Sequence, residues 1–194
     1  PPPESGYDLI FHIGLAGRGP LRMERLSHKI GYRMKDTAGE RAPIVEYLPD
    51  AAAPEPLEQS QAAMIAEARL TMDEEKKHLD AAVPEPARGF GKGYEGNPDD
   101  LFTTIDVERL VHDLKAGGLE NVYSSMDAGH HVCDFTYFCS LAEAKRTAIK
   151  HDKARSTKVL FMHCPPPNQP FTTEEVTEAI KTIIVWVSQI PHTS

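Results

Sequence analysis

The stretch Asp8-Leu9-Ile10-Phe11-His12-Ile13-Gly14 constrains the fold most. A short, nearly unbroken apolar run stopped by glycine is the pattern of a strand buried on both faces, and such strands belong to sheets covered by helices. Lys158-Val159-Leu160-Phe161-Met162 is a second run of the same kind, ended by Pro165-Pro166-Pro167, and Leu119 to Ser125 reads as a third strand. Helical patterns lie between and after them. Val107, Leu110, Val111 and Leu114 have helical spacing, with Gly117-Gly118 as a stop signal. Val132 to Lys145 reads as a helix, and Met126 to His131 as the loop before it. Thr172-Thr173-Glu174-Glu175 is a capping box for a C-terminal helix whose apolar face is Val176, Ala179, Ile180, Ile183, Ile184 and Val187. Strands alternating with helices predict a layered α/β fold. Leu15 to Pro20 reads as a turn, and residues 21–36 show no clear period.

At 194 residues with 40% hydrophobic content, the chain suits one α/β domain, or one domain plus an appendage. Residues 48–98 differ in composition: prolines stand at 49, 54, 56, 84, 86 and 98, and glycines at 89, 91, 93 and 96. They are expected to form an insertion outside the core, either a surface helix over Leu57 to Asp80 or disordered chain. A net charge of −8 argues against a nucleic-acid partner. There is no apolar run of about twenty residues, so no membrane span is expected. Three cysteines, Cys133, Cys139 and Cys164, cannot make a disulfide framework and point to a reducing, cytoplasmic setting. The sequence opens on Pro1 rather than Met, without a secretory leader, and is expected to start inside a longer or processed protein.

Three residues stand where an α/β sheet builds sites. Cys133 falls in the first turn of a predicted helix, where free N–H groups and the helix dipole favour a thiolate and can hold an oxyanion. His163 closes a predicted strand, and ligand sites in α/β sheets lie beyond the carboxyl ends of strands. Glu24 follows the end of the first strand, where a carboxylate can orient an imidazole. Together they make a candidate Cys-His-acid triad. The competing readings are a packing cysteine and a satisfied histidine. A metal reading of His130, His131, Cys133, His163 and Cys164 is weaker, because the usual zinc-ligand spacings are missing. No metal site is expected. Gly14-Leu15-Ala16-Gly17-Arg18-Gly19 lacks both phosphate-loop patterns and reads as a tight turn.

Three blocks give these residues a family context. They are Asp8 to Gly14 continuing through Met23-Glu24-Arg25 to His28, Gly31 and Tyr32; Asp127-Ala128-Gly129-His130-His131-Val132-Cys133-Asp134-Phe135-Thr136-Tyr137-Phe138-Cys139-Ser140-Leu141; and Phe161-Met162-His163-Cys164-Pro165-Pro166 with Gln169-Pro170-Phe171. The sequence resembles the pyroglutamyl-peptidase I family of cysteine peptidases over most of 8–45 and 100–187. The resemblance implies a three-layer α/β/α sandwich around a mixed, mostly parallel sheet. It implies Cys133 as nucleophile, His163 as general base and then acid, and Glu24 as the residue orienting the histidine. The implied substrate is a peptide with an N-terminal pyroglutamate, attacked through a thioester without a cofactor. Val132 and Leu15 are the expected substrate contacts.

Two departures from the family pattern carry expectations. The family has a strand and a Phe-rich loop before the segment matching Asp8, which this sequence lacks. An open sheet edge, weak activity of the 194-residue chain and a tendency to self-associate as a homo-oligomer follow. Leu15 replaces a Gln of bacterial members, and Arg33 stands one position from their loop arginine. The rival functions are a binding or structural role for an inactive homologue, and a cysteine hydrolase of another acyl substrate.

Overall fold

The computed structural model describes residues 7–45, 86–130, 132–151 and 157–190. The two apolar runs become adjacent strands. β1 (Leu9–Leu15) and β6 (Lys158–Cys164) pair in parallel, from Leu9 opposite Lys158 to Leu15 opposite Cys164. β2 (Leu21–Glu24) lies antiparallel on the other side of β6, and β5 (Val122–Ser125) runs parallel to β2. The four-stranded sheet has the order β1-β6-β2-β5 and is mixed, with two of its three pairings parallel. A small antiparallel sheet joins β3 (Leu26–His28) to β4 (Asp100–Phe102).

Strand alternation divides the core in two. Leu160 and Met162 of β6, with Leu21 and Met23 of β2 and Val122 of β5, face α1 (Val107–Ala116) and α3 (Thr173–Ser188). These helices bring Leu110, Leu114, Ala179, Ile183 and Val187 to that face, and Trp186 Nε1 of α3 donates to Asp113 Oδ2 of α1 at 2.9 Å. Val159 and Phe161, the alternate residues of β6, face α2 (Val132–His151) through Tyr137, Phe138 and Leu141. The result is the α/β/α sandwich that the resemblance implies. Each fully buried Leu or Ile contributes roughly 1.5–3 kcal/mol to holding the layers together.

The helix signals operate as read. Asp106 caps α1 by accepting from Arg109 N, and Gly117 N closes it on Asp113 O. Thr172 and Glu175 form a reciprocal capping box at the start of α3. The apolar face of α3 is narrower than expected, since Ile184 is exposed. Strands β2, β3 and β4 are three or four residues long, too short for a period to show in 21–36 or near 100. The third strand begins at Val122, with Leu119 packed on the core before it.

Two expectations about the periphery meet different outcomes. Among the described residues β1 lies at the edge of the sheet, and none of its seven residues is fully buried, although its sequence reads as a strand covered on both faces. The expectation that 48–98 lies outside the core is overturned at its C-terminal end. Phe90 is buried and stacks on Phe135 of α2 at 4.1 Å, and the chain at Arg88 and Gly89 makes bridges with Ile44 and Ile30. Aromatic packing holds residues 86–98 against the second core despite their prolines and glycines. The helix expected over 57–80 lies outside the described residues.

Candidate active site

Sheet register assembles two of the three candidate residues. Glu24 ends β2 opposite Phe161, and His163, two residues further along β6, stands opposite Arg22. Paired positions share a face, so Glu24 and His163 are diagonal neighbours on the α2 side. His163 Nδ1 donates to Glu24 Oε1 at 2.7 Å. Both side chains are buried, and Glu24 Oε2 has no hydrogen-bond partner among the described residues. This contact fixes the tautomer: with its proton on Nδ1, a neutral His163 offers Nε2 as the acceptor. On its other flank His163 stands opposite Gly14, where a Cβ would lie 2.8 Å from Phe161 and 3.0 Å from the imidazole. Glycine at the end of β1 therefore leaves the ring its room. His12, further down β1, stacks on Phe161 and shares a 2.9 Å hydrogen bond with Ser140 of α2, and burial lowers its proton affinity.

Cys133 is the second residue of α2 and is half-buried. Its thiol departs from the expected direction. Burial pushes it above the ordinary cysteine value, reinforced by the negative charges of Asp134 and Glu24. Glu24 acts on Cys133 electrostatically, yet no hydrogen bond joins Cys133 to His163 among the described residues. Tyr137, one turn along α2, donates its buried hydroxyl to Glu24 O at 3.0 Å and ties this helix to the strand end that holds the histidine.

Asp134, fully buried, anchors the same turn. It accepts from His28 N at 3.2 Å, from His28 Nδ1 at 3.1 Å and from the Tyr32 hydroxyl at 3.0 Å, while Ser27 donates to Asp134 O at 2.7 Å. His130 stacks on His28 with ring centroids 4.5 Å apart. Gly31 is obligatory beneath it: φ is +109°, and a Cβ would come within 2.4 Å of His130. A cavity of about 250 Å³ opens beside this turn, with Tyr32, Met34, Val132 and Phe135 among its walls and Asp36, Glu40, Arg41 and His130 at polar positions.

No family model matches the chain. Pyroglutamyl-peptidase 1 of Mus musculus is 31% identical over 113 residues, 50% of this chain and 49% of the mouse protein, and the Homo sapiens protein is 30% identical over a stretch of the same length. The chain is similar to the pyroglutamyl peptidases. It spans about half the length of the curated relatives it matches. The fold agrees over more of the molecule. Pyrrolidone carboxyl peptidase from Pyrococcus furiosus superposes with a TM-score of 0.59 at 18% identity, covering 94% of this chain and 70% of that one. Pyroglutamyl peptidase I from Bacillus amyloliquefaciens gives 0.56 at 18% identity, covering 94% and 67%.

Against the pyroglutamyl-peptidase pattern, the expected substrate contacts separate. Val132 lines the cavity. Leu15 does not: it pairs with Cys164, so strand alternation turns it to the face opposite Gly14 and His163, where it is 69% exposed. Arg33 is exposed and is not a wall of the cavity, whereas Met34 beside it is. Of the metal-type residues singled out in the sequence, His163 and Cys164 face opposite sides of β6, and His131 lies outside the described residues. His28, His130 and Asp134 do bring ligand-type atoms within 4.8 Å of one another, but His28 and Tyr32 already occupy the Asp134 carboxylate with hydrogen bonds. Cys139 contacts the Tyr94 hydroxyl at 3.5 Å, and Cys164 Sγ donates to Gly14 O.

Sequence reasoning missed Asp134, His28, Tyr32 and Tyr137 as parts of the site. For Tyr137 a signal existed: it stands four residues after Cys133 in a predicted helix, hence on the same face. For Asp134 there was only an acidic residue in a helix first turn, which is usually solvated. No helix among the described residues is long and apolar enough to cross a membrane.

Proposed function

We propose that this chain carries the chemistry of a cysteine peptidase that removes N-terminal pyroglutamate from peptides, with Cys133 as nucleophile, His163 as general base and acid, and Glu24 as the group that orients the histidine. The observation that carries the reading is the buried 2.7 Å contact between His163 Nδ1 and Glu24 Oε1, on the sheet face that receives the helix whose second residue is Cys133. A histidine held in that tautomer takes the thiol proton on Nε2, and the nearby carboxylate stabilises the imidazolium that results. The thiolate adds to the pyroglutamyl carbonyl, and N–H groups at the start of α2 stabilise the oxyanion. His163 protonates the leaving amine, and water then hydrolyses the thioester, giving free pyroglutamate and Cys133 thiol.

In this reading the raised thiol and the missing Cys133–His163 hydrogen bond are features of the unliganded site. Catalytic hydrogen bonds often tighten only when substrate is bound. A pyroglutamyl ring has no ammonium, so an uncharged pocket with apolar walls suits it. The cavity beside Val132 supplies apolar wall from Val132, Met34 and Phe135, alongside the charged side chains of Asp36, Glu40 and Arg41. The same two observations favour a second reading, in which the chain binds pyroglutamyl ends without turning them over.

Release of a fluorophore from a pyroglutamyl amide, set against a panel of free aminoacyl amides, tests the proposal. Selective pyroglutamyl cleavage that disappears with Cys133→Ala supports it. Saturable binding without cleavage supports the second reading, and cleavage of a different acyl amide rejects both.

A further inference from the structure

Asp134 is chemically out of place, because a fully buried carboxylate beside a nucleophilic thiol opposes formation of the thiolate. Its partners explain why it is there. The side chain is bound to His28 through both the backbone N and Nδ1, and to Tyr32 through the hydroxyl, while the Asp134 carbonyl takes the Ser27 hydroxyl. Side chain and backbone of the residue after Cys133 are thus both tied to β3 and the residues just after it. β3 begins two residues after Glu24, and Tyr137 returns from α2 to Glu24 O. One short stretch, 24–28, therefore holds the acid of the histidine pair and the neighbour of the thiol.

We propose that Asp134 is a positioning residue for Cys133: anchored on His28, Tyr32 and Ser27, it sets where the first turn of α2 stands relative to the His163–Glu24 pair and fixes a negative charge beside the thiol. The inference rests on Cys133 being the nucleophile. The titratable groups against Asp134 are His28 of β3, Tyr32 after it, His130 of the preceding loop and Cys133 of its own helix. Asp100 and Asp127 act on His28 from further away, and Glu24 acts on Cys133. A misplacement of about 1 Å costs a reacting pair roughly a hundredfold in rate, so a rigid anchor one residue from the nucleophile is a direct means of control.

The test reads position and charge separately. Asp134→Ala removes the anchor and the charge, Asp134→Asn keeps the shape and removes the charge, and Ser27→Ala weakens the anchor and leaves the charge. For pyroglutamyl amide cleavage, Asp134→Ala is expected to lose kcat by roughly tenfold or more with KM changing less, Asp134→Asn to recover part of it, and Ser27→Ala to lose it several-fold. In mass-mapped iodoacetamide labelling across pH, both Asp134 variants are expected to move the Cys133 midpoint about half a unit or more to lower pH, with Cys139 and Cys164 unmoved and Ser27→Ala unchanged. A Cys133 midpoint that stays put in Asp134→Asn, or an undiminished kcat in a folded Asp134→Ala, overturns the inference. If Asp134→Ala fails to fold, all three cysteines label together, and the other two variants decide. If the parent cleaves no pyroglutamyl amide but the midpoint moves as expected, the substrate reading fails and the electrostatic role of Asp134 stands.

Discussion

The two halves of the candidate site are built differently. His163 and Glu24 come from adjacent strands, are buried, and meet in a closed hydrogen bond set by strand register. Cys133 comes from a helix start, is half-buried, and has a thiol pushed above the ordinary cysteine value by burial and by the charges of Asp134 and Glu24. A sheet fixes a diagonal pair rigidly; a helix can place a nucleophile only as well as its first turn is anchored. Under the proposed mechanism the histidine pair is preassembled and the thiol is not, so substitutions on the two sides should fail in different ways.

The largest effect is expected at the thiol. Cys133→Ala should reduce pyroglutamyl release roughly a thousandfold or more, to background, with circular dichroism and melting temperature close to the parent. Glu24→Gln should reduce kcat roughly a hundredfold or more, since the amide neither stabilises an imidazolium nor selects the Nδ1–H tautomer. The difference from Cys133→Ala is that stability is expected to change too, because Glu24 is buried in the sheet; an unaltered kcat would dismantle the base side of the comparison.

Tyr137→Phe touches both halves at once. It deletes only the hydroxyl bonded to Glu24 O and should cost about 1–2 kcal/mol in chemical denaturation, with a several-fold loss of kcat. Full activity in that variant would mean that the helix is held to the strand end by packing alone. A smaller effect is expected from His28. Burial lowers its proton affinity, but the hydrogen bond and charge of Asp134, helped by Asp100 and Asp127, outweigh that and raise it. A raised histidine contributes stability that is fully present below its unfolded value near 6.5 and is lost as pH rises through the higher folded value. Melting temperature followed from pH 5 to 9 should show that loss in the parent, and His28→Gln should flatten it. Leu15→Lys should do least: activity within about twofold and stability within about 0.5 kcal/mol, because the side chain points away from the histidine into solvent. A large loss of activity would return Leu15 to the pocket.

What could be read in the sequence follows from element length and pairing. β6, α1 and α3 are long enough for apolar periodicity and caps to declare them. β2, β3 and β4 are not, yet β2 holds Glu24 at the site and β3 anchors Asp134. β1 and β6 read alike as buried strands, but β6 is central and β1 lies at the edge, a difference of sheet order that neither segment carries in itself. Phe90 belongs to the core because Phe135 and Phe138 receive it, although its own surroundings of proline and glycine read as surface chain. The candidate triad was legible because its three residue types stand in familiar strings. Asp134 was not, because a buried aspartate beside a thiol makes sense only once His28, Tyr32 and Ser27 are seen around it.

The most direct measurement is to trap the acyl-enzyme. The protein is mixed with a pyroglutamyl amide, quenched in acid, digested and mapped by mass, which detects the thioester even where turnover is slow. The account predicts one pyroglutamyl group on the peptide carrying Cys133, accumulating with substrate and absent from Cys133→Ala. Cleavage that leaves Cys133 unmodified and persists in Cys133→Ala, or an adduct confined to Cys139 or Cys164, would contradict it.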